Sequence, residues 1–500
     1  MYIEHSAGTG KTSTLVSLIN AIHLRQYQAY YSSIESIVAG SFRKKTEASA
    51  FYEELAALNK AVEIKPRILV CAPSNAGIDN VIIKIMAERF VDGNGGKYSP
   101  SIVRVGAGIT NPKIESVALK QAVDSIIMQG SDLTKLENYI ATQRQNLKRC
   151  QSEIHNLRTR IQAMVECCPY KISSDWEIRV DETSFESSGR VLFVNHTTKA
   201  TTYDIPPKVR PNETPCIIHQ MPHYRSLLKS LTKYVERHSN ETSNLEKYII
   251  LQNAATTKLE VERENPDDNL LSQLETHVLN SSHIVLTTLG SAGGRAMMSA
   301  HRFKVVVIDE AAQSAEPSTL VALQLGSKHA ILVGDPQQLP ATIFSISGRS
   351  TKYDRSLFQR LEEAGHDIHL LNVQYRMNPL ISEFPRHIFY QDQLVDGPNV
   401  LQSDFGGTLK SVIRVKFPYV QPFNIFDLDS KEKREGTSLS NKHEAMLALQ
   451  LYCTLDRESD GLLTQSRVAV ITPYSQQSGL LRQLFEERYG ASYLSRVEIR

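Results

Sequence analysis

Two stretches of the chain carry residues that could do phosphate chemistry. At Val305-Val306-Val307-Ile308-Asp309-Glu310-Ala311-Ala312-Gln313, four β-branched apolar residues run straight into two adjacent carboxylates. Such an apolar run suits a strand buried on both faces. Asp and Glu are costly to bury, so the pair is expected where the strand ends, in a crevice at its carboxyl edge. One carboxylate could hold Mg²⁺ there while the other orients or deprotonates a water. Taken alone, the stretch is equally a strand ending in a solvated acidic turn. The balance shifts with Gly8-Thr9-Gly10-Lys11-Thr12 near the start of the chain. Its glycines let backbone N–H groups close around phosphate oxygens, and the following helix points its positive end at them. Lys11 would reach the β/γ-phosphates and Thr12 would ligate Mg²⁺. The full motif, G-x-x-x-x-G-K-[ST], asks for glycine at position 5, where this chain has His5. The strand expected before the loop is nearly absent, with only Tyr2-Ile3-Glu4 ahead of it.

The elements that must position these residues follow in order. Thr14 to Leu24 continues as a helix, and residues 26–65 form an irregular or helical insertion. Residues 67–80 read as strand, turn and helix: Pro73 ends the strand, and Ser74 or Asn75 can cap the helix or touch a phosphate backbone. Ile102-Val103-Arg104-Val105 is a short strand. Leu133, Leu136, Ile140, Gln143, Leu147, Cys150, Ile154, Leu157, Ile161 and Met164 then recur by threes and fours, which predicts a coiled-coil seam. A weaker version returns at Leu228, Leu231, Val235, Leu245, Ile249 and Leu259. The simplest geometry is an antiparallel helical hairpin, the first arm roughly 50 Å long; dimerisation through the arm is the alternative. Residues 283–290 restart the α/β pattern. The strand 330–334 runs into Asp335-Pro336-Gln337-Gln338, where Gln338 could sense a γ-phosphate. A second unit begins near residue 346, with strands at 370–376, ending in Arg376, and at 468–472, and a charged surface connection at 428–440.

Composition bounds the function classes. The 500 residues allow two to four domains, and 41% hydrophobic content supports a real core. Lys plus Arg number 56 against 54 for Asp plus Glu, so no global field draws in nucleic acid and any such binding must come from local patches. The six cysteines form no C-x-x-C pair, which indicates neither a zinc site nor a disulfide framework. No signal peptide and no run of 18 apolar residues occurs, so a soluble, intracellular protein is expected.

Between the two helical arms lies a β-type island, residues 175–207. It resembles a WW domain, a small three-stranded sheet. Trp176 and Pro206 match the residues that pack together beneath that sheet, and Asn195-His196 and Thr201-Thr202 match its central strand and sequel. Tyr203 stands where the ligand-binding tryptophan usually is, Leu192 where its partner tyrosine usually is, and the first loop is several residues too long. The resemblance implies a groove for a proline-rich protein at Leu192, His196 and Tyr203. The alternative is a tip that only packs on the arm.

Taken together, the chain resembles a superfamily 1 helicase of the senataxin-like group. The resemblance rests on GTGKT (8–12), APSNAGIDN (72–80), IVLTTLGSAG (284–293), VIDEAAQSAEPS (307–318), LVGDPQQLPATIFS (332–345), SLFQRL (356–361), NVQYRMNPLISEFP (372–385), FYQDQLVDG (389–397) and ITPYSQQ (471–477), and covers most of residues 1–110 and 283–500. It implies an α/β fold of two RecA-like P-loop domains that bind ATP and Mg²⁺. The first spans 1–110 and 283–345. The second, 346–500, is incomplete at its C-terminal end. The helical insertion, 111–282, corresponds to the family's prong, with the WW-like module at about 172–210 on its tip. It further implies 5′→3′ movement along single-stranded RNA or DNA, a monomer, no membrane association, and a nuclear, or nuclear and cytoplasmic, location.

By position, Gly8, Thr9, Gly10, Lys11 and Thr12 would hold phosphate, with Thr12 and Asp309 on the metal. Glu310 would activate water, and Gln338 would couple the γ-phosphate to motion. Arg376 would be the arginine finger and Tyr375 would stack on adenine. Pro73, Ser74, Asn75, Thr287, Thr288, Pro473 and Tyr474 would form the nucleic-acid surface. His5, Ser6 and Ala7 depart from the family's Gly-Pro-Pro, and the last helicase motifs would lie beyond Arg500. The chain therefore reads as an internal fragment, expected to show little activity alone. The competing reading is a non-hydrolysing helicase-like scaffold that displays the WW-like module.

Overall fold

The computed structural model describes residues 2–5, 8–41, 65, 67–109, 111–129, 133–167, 175–180, 191–204, 221–258, 268–300, 302–402, 404–418, 420–459 and 461–500. The chain divides into two compact units, residues 1–4 with 11–370, and residues 5–10 with 371–500.

The first unit is built on seven strands: β1 (Tyr2–His5), β2 (Ile68–Ala72), β3 (Ile102–Val105), β4 (Ile284–Thr288), β5 (Val305–Ile308), β6 (His329–Gly334) and β7 (Ile368–Leu371), in the order β7-β1-β6-β5-β2-β4-β3. The pairings from β1 through β3 in that order are all parallel. β2 and β5 are buried at every position, as their unbroken apolar runs demand of strands covered on both faces. Helices α1 (Lys11–Ser41) and α2 (Asn75–Glu88) follow β1 and β2. α1 starts at the lysine of the glycine-rich loop and runs well past the expected end at Leu24.

Two expectations need correction here. The strand before the loop is present: Ile3 pairs with Val333 of β6 and is 3% exposed, so neighbouring strands rather than its own length stabilise it. The first unit also does not end at 345. Leu357 and Phe358 are buried in its main core and β7 joins its sheet, so the division falls after Leu370.

Helices α3 (Leu133–Cys167) and α4 (Pro222–Lys258) run antiparallel. Leu136 and Ile140, early in α3, share the main core with Leu251 late in α4, and Tyr139 stacks on Tyr248 at 5.4 Å. Leu157, Ile161 and Met164, late in α3, share a second core with Tyr224, Leu227, Leu231 and Val235 early in α4. Leu147 and Ile154 are half-buried along the same face. In α4 the fully covered position is Leu227 rather than Leu228, because the contact row runs through Tyr224, Leu227 and Leu231. Leu259 lies outside the described residues.

Three antiparallel strands, Trp176–Val180, Val191–Asn195 and Thr201–Thr202, form a small sheet between the arms. Ile178 pairs with Phe193, and both are buried in the second core against α3, α4 and Tyr30 of α1. Trp176 packs on that core partly buried; its expected partner Pro206 and the long first loop lie outside the described residues.

The face of α1 that meets the arm and β4 carries His23, Tyr27, Tyr30 and Tyr31. His23 Nδ1 lies 2.9 Å from Tyr98 Oη, Tyr27 Oη 2.8 Å from His283 Nε2, and the Tyr31 hydroxyl donates to both oxygens of Glu236 at 2.9 and 2.8 Å. Burial, reinforced by the His283 imidazole, lowers the His23 pKa to about 3; burial, reinforced by Lys65 and Arg67, lowers that of His283 to about 4. Both rings are therefore neutral in the fold, while the unfolded chain takes up protons near the ordinary value of 6.5. This contribution to stability is fully present above about pH 6.5 and is lost as pH falls toward about 4. The thermal midpoint of the first unit should fall over that window, and less steeply in His283→Asn. An unchanged slope in that variant would place the acid sensitivity elsewhere.

Candidate nucleotide site and nucleic-acid surface

At the carboxyl edge of the sheet, Asp309 follows β5 and is 3% exposed. Its backbone N–H donates to Cys71 O at 2.8 Å, and its Oδ1 accepts from Glu310 N at 3.0 Å. Glu310 has φ 52° and ψ 38°, the left-handed region that a non-glycine residue rarely holds. Such conformations persist where the surroundings impose them and gather at functional sites. The turn presents the Glu310 carboxylate to Lys11, whose Nζ pairs with Glu310 Oε1 and lies 3.4 Å from Asp309 Oδ1. Gln313 Nε2 donates to Glu310 Oε2 at 3.1 Å. Burial raises the Asp309 pKa, and the Lys11 ammonium opposes that shift. One strand end and one helix start thus bring together, across about 300 residues, a cation and two carboxylates.

The donor set at this point fits a hard divalent cation. The Asp309 carboxylate is buried with Lys11 as its near countercharge, and Thr12 follows that lysine with a hydroxyl. Mg²⁺ prefers such oxygens, usually one or two from protein, with phosphate and water completing the shell. Gln338 sits in the loop after β6, its amide held by Asp335, which is 2% exposed: Nε2 donates to Asp335 Oδ2 at 2.7 Å.

In the second unit, strand Val373–Gln374 pairs in parallel with Val395–Asp396. Gln374 is fully buried; its Oε1 accepts from the N–H groups of Arg376 at 3.0 Å and Met377 at 2.7 Å. Its Nε2 donates to Met377 O at 2.8 Å and Asp396 Oδ1 at 2.5 Å. Ser382 and Arg386 donate to the same aspartate at 2.7 and 3.3 Å. This network fixes the backbone that leaves the Arg376 and Tyr375 side chains exposed. Gly8, which groups with this unit, accepts from Tyr375 N–H at 2.8 Å, and a Cβ at Gly8 would lie 2.6 Å from Arg376 Cβ. With φ +86° as well, position 8 excludes a side chain.

The candidates for nucleic-acid contact divide. Pro73, Ser74 and Asn75 follow β2 with partial or full exposure, and Ser74 caps α2 by accepting from Gly77 N at 3.1 Å. Thr288 caps the next short helix through Ser291 N at 3.3 Å. Thr287 does not belong on the surface: it is fully buried, and its hydroxyl donates to Val105 O at 3.2 Å. It occupies the inward side of a strand covered on both faces, so it supports the surface from beneath. In the second unit Pro473 and Tyr474 are exposed, and Glu432 and Glu444 line the same cleft. Those carboxylates disfavour phosphate at the cleft.

Comparison with known proteins agrees with this geometry. AAA-domain families match residues 2–346 and 353–500. Helicase sen1 of Schizosaccharomyces pombe is 29% identical over 509 residues, covering 99% of this chain and 25% of that protein. The chain belongs to the senataxin-like superfamily 1 helicase family. Helicase SEN1 of Saccharomyces cerevisiae is 28% identical over 98% of the chain and 19% of its own length. ATP-dependent helicase NAM7 of the same yeast is 34% identical over 43% of the chain and 22% of its own length. The chain thus spans about a quarter of the length of the first of these relatives.

For a member of this helicase family, three supporting residues escaped sequence reasoning: Gln313 behind Glu310, Asp335 behind Gln338, and Gln374 behind Arg376. Each lies within three residues of the group it holds, but only the folded turn shows which amide or carboxylate points inward. Glu310→Gln keeps the side chain's shape and removes the carboxylate that, as the expected base, would activate water. It should retain nucleotide affinity and lower turnover by roughly 10²- to 10⁴-fold. Equilibrium binding of a fluorescent ATP analogue beside steady-state phosphate release measures both, and wild-type turnover would remove Glu310 from the catalytic role.

Proposed function

We propose that this chain is the motor portion of an ATP-dependent 5′→3′ helicase or translocase acting on single-stranded RNA or DNA. The observation that carries the reading is the cluster of Lys11, Asp309 and Glu310, with Glu310 held in a left-handed turn. In phosphoryl transfer the protein contributes positioning and electrostatic stabilisation rather than covalent chemistry. Lys11, now paired with carboxylates, would exchange them for β/γ-phosphate oxygens. Thr12 and Asp309 would hold Mg²⁺, which shields phosphate charge. Glu310, freed from Lys11 and oriented by Gln313, would accept a proton from the attacking water. Gln338 would report the γ-phosphate, Arg376 would stabilise charge on it, and Tyr375 offers an exposed ring to adenine. Relatives are named ATP-dependent helicases, and this supports the reading. Monomeric action in the nucleus, or in nucleus and cytoplasm, belongs to the same proposal, as does assignment of α3 and α4 to the family's prong. In a complete protein carrying this chain, phosphate release from ATP should require Mg²⁺, rise on addition of single-stranded RNA or DNA, and disappear in Lys11→Ala; residues 1–500 alone should release little. Turnover indifferent to both nucleic acid and Lys11 would favour a scaffold with incidental nucleotide binding.

The small sheet supports a second role, as a protein-interaction module. By strand register Leu192 lies opposite Arg179, on the face away from Ile178 and Phe193; His196 continues that face and Tyr203 follows its third strand. His196 and Tyr203 are exposed, and His196 Nε2 lies 3.2 Å from Glu177, which is 4% exposed. A proline-rich segment would therefore meet one ring, Tyr203, and an aliphatic wall, Leu192. One ring face is lost relative to a paired-aromatic groove, so affinity should be no better than high micromolar, roughly −5 to −6 kcal/mol. Titrating a PPxY peptide while following the fluorescence of Trp176, the single tryptophan, tests it. Absence of any change at millimolar peptide would make the tip structural.

A further inference from the structure

Beneath the loops that follow β2, β3 and β4 lies a buried arginine. Arg104, in the middle of β3, is 1% exposed. Its Nε donates to Asp79 Oδ1 at 3.3 Å, its Nη2 to Asn75 Oδ1 at 2.6 Å, and its Nη1 to the Val105 carbonyl. Asp79 is also 1% exposed, so charge is matched inside the fold. The Val105 carbonyl accepts in addition from the Thr287 hydroxyl. One planar fork therefore ties α2, β3 and, through that carbonyl, β4. A compact ammonium could match the charge but not these three directions.

The bond to Asn75 has a consequence at the surface. An amide whose oxygen is taken from below by a guanidinium must turn its NH₂ the other way. Asn75 Nδ2 lies where a Cβ on Gly108 would come within 2.5 Å, and Gly108 itself holds φ +75°. The glycine leaves room for the amide donor. We infer that Arg104 is a positioning residue for the nucleic-acid surface: it fixes the Asn75 amide so that Nδ2 donates to a phosphate or sugar oxygen of the bound strand. The inference deepens the proposed function and rests on Asn75 being a contact residue.

The test uses the whole chain, with fluorescein-labelled uridine and thymidine homopolymers as probes and anisotropy as the readout. Arg104→Lys preserves the charge opposite Asp79 and removes the fork. It should weaken binding about five- to tenfold, the size of one hydrogen bond, while affinity for an ATP analogue stays unchanged. Gly108→Ala pushes on Asn75 from the other side, leaves the Arg104–Asp79 pair intact, and should give a similar loss; it decides the matter if Arg104→Lys does not fold. Because Arg104 acts through Asn75, the double variant Arg104→Lys/Asn75→Ala should bind no more weakly than Asn75→Ala. Wild-type affinity in both Arg104→Lys and Gly108→Ala, with Asn75→Ala impaired, overturns this inference alone, as do additive losses in the double variant. Wild-type affinity in Asn75→Ala, or failure of the unmodified chain to bind either probe, overturns the surface assignment and this inference with it.

Discussion

A carboxylate removed from water must find a countercharge, and Asp309 is the point at which this molecule meets that constraint. The strand leading to it is buried on both faces, so the residue cannot escape to solvent. Lys11 meets the need, and meeting it requires that the start of α1 be placed at the end of β5. The sheet order does this by inserting β6 and β5 between β1 and β2. With six strands parallel, their carboxyl ends lie on one edge, where strand ends, turns and helix starts place Lys11, Asn75, Thr288, Glu310 and Gln338. A parallel sheet with a topological reversal is where α/β proteins build ligand sites.

A second pattern recurs one layer down. A side chain with a proposed contact role is held by a polar neighbour: Glu310 by the half-buried Gln313, and, from buried positions, Gln338 by Asp335, Asn75 by Arg104, and the backbone of Arg376 by Gln374. Buried polar groups are costly unless their hydrogen bonds are made, so a satisfied network has one geometry and resists others. The long-range charge cluster of Lys11 with Asp309 and Glu310 differs, because its members would exchange partners when phosphate arrives.

The inserted helices extend this architecture. One end of the α3–α4 pair shares the main core, and the other shares a core with the small sheet and Tyr30. α1 runs from Lys11 to that second core, at about 1.5 Å per residue of helix, as a continuous element. Hydroxyl and imidazole contacts from His23, Tyr27 and Tyr31 seat it against β4 and α4. The tip is therefore packed on its inward face by Ile178 and Phe193 while Tyr203 and His196 stay open to solvent.

Much of this was legible in residue order. Four β-branched residues running into Asp309-Glu310 read as a strand meeting a polar edge, and Gly8-Thr9-Gly10-Lys11-Thr12 tips that edge toward phosphate because backbone freedom and charge coincide there. The three-and-four spacing from Leu136 to Met164 likewise announced one apolar helix face. These are local properties, set by period and side-chain chemistry. Tertiary structure alone decided the rest. Tyr2–His5 is too short to stand as a strand and exists because β6 offers it hydrogen bonds. Leu357 and Phe358 fall to the first unit because its core has room for them. Thr287 and Thr288 are adjacent and chemically alike, yet the sheet's cover buries Thr287 and ends at Thr288, the last residue of β4, which is only partly buried. Arg104 reads in sequence as a charge within an apolar strand. Only the arrival of Asp79 and Asn75 from helix α2, earlier in the chain, turns it into a paired, buried fork, since a guanidinium is costly in the interior unless acceptors and a countercharge are brought to it.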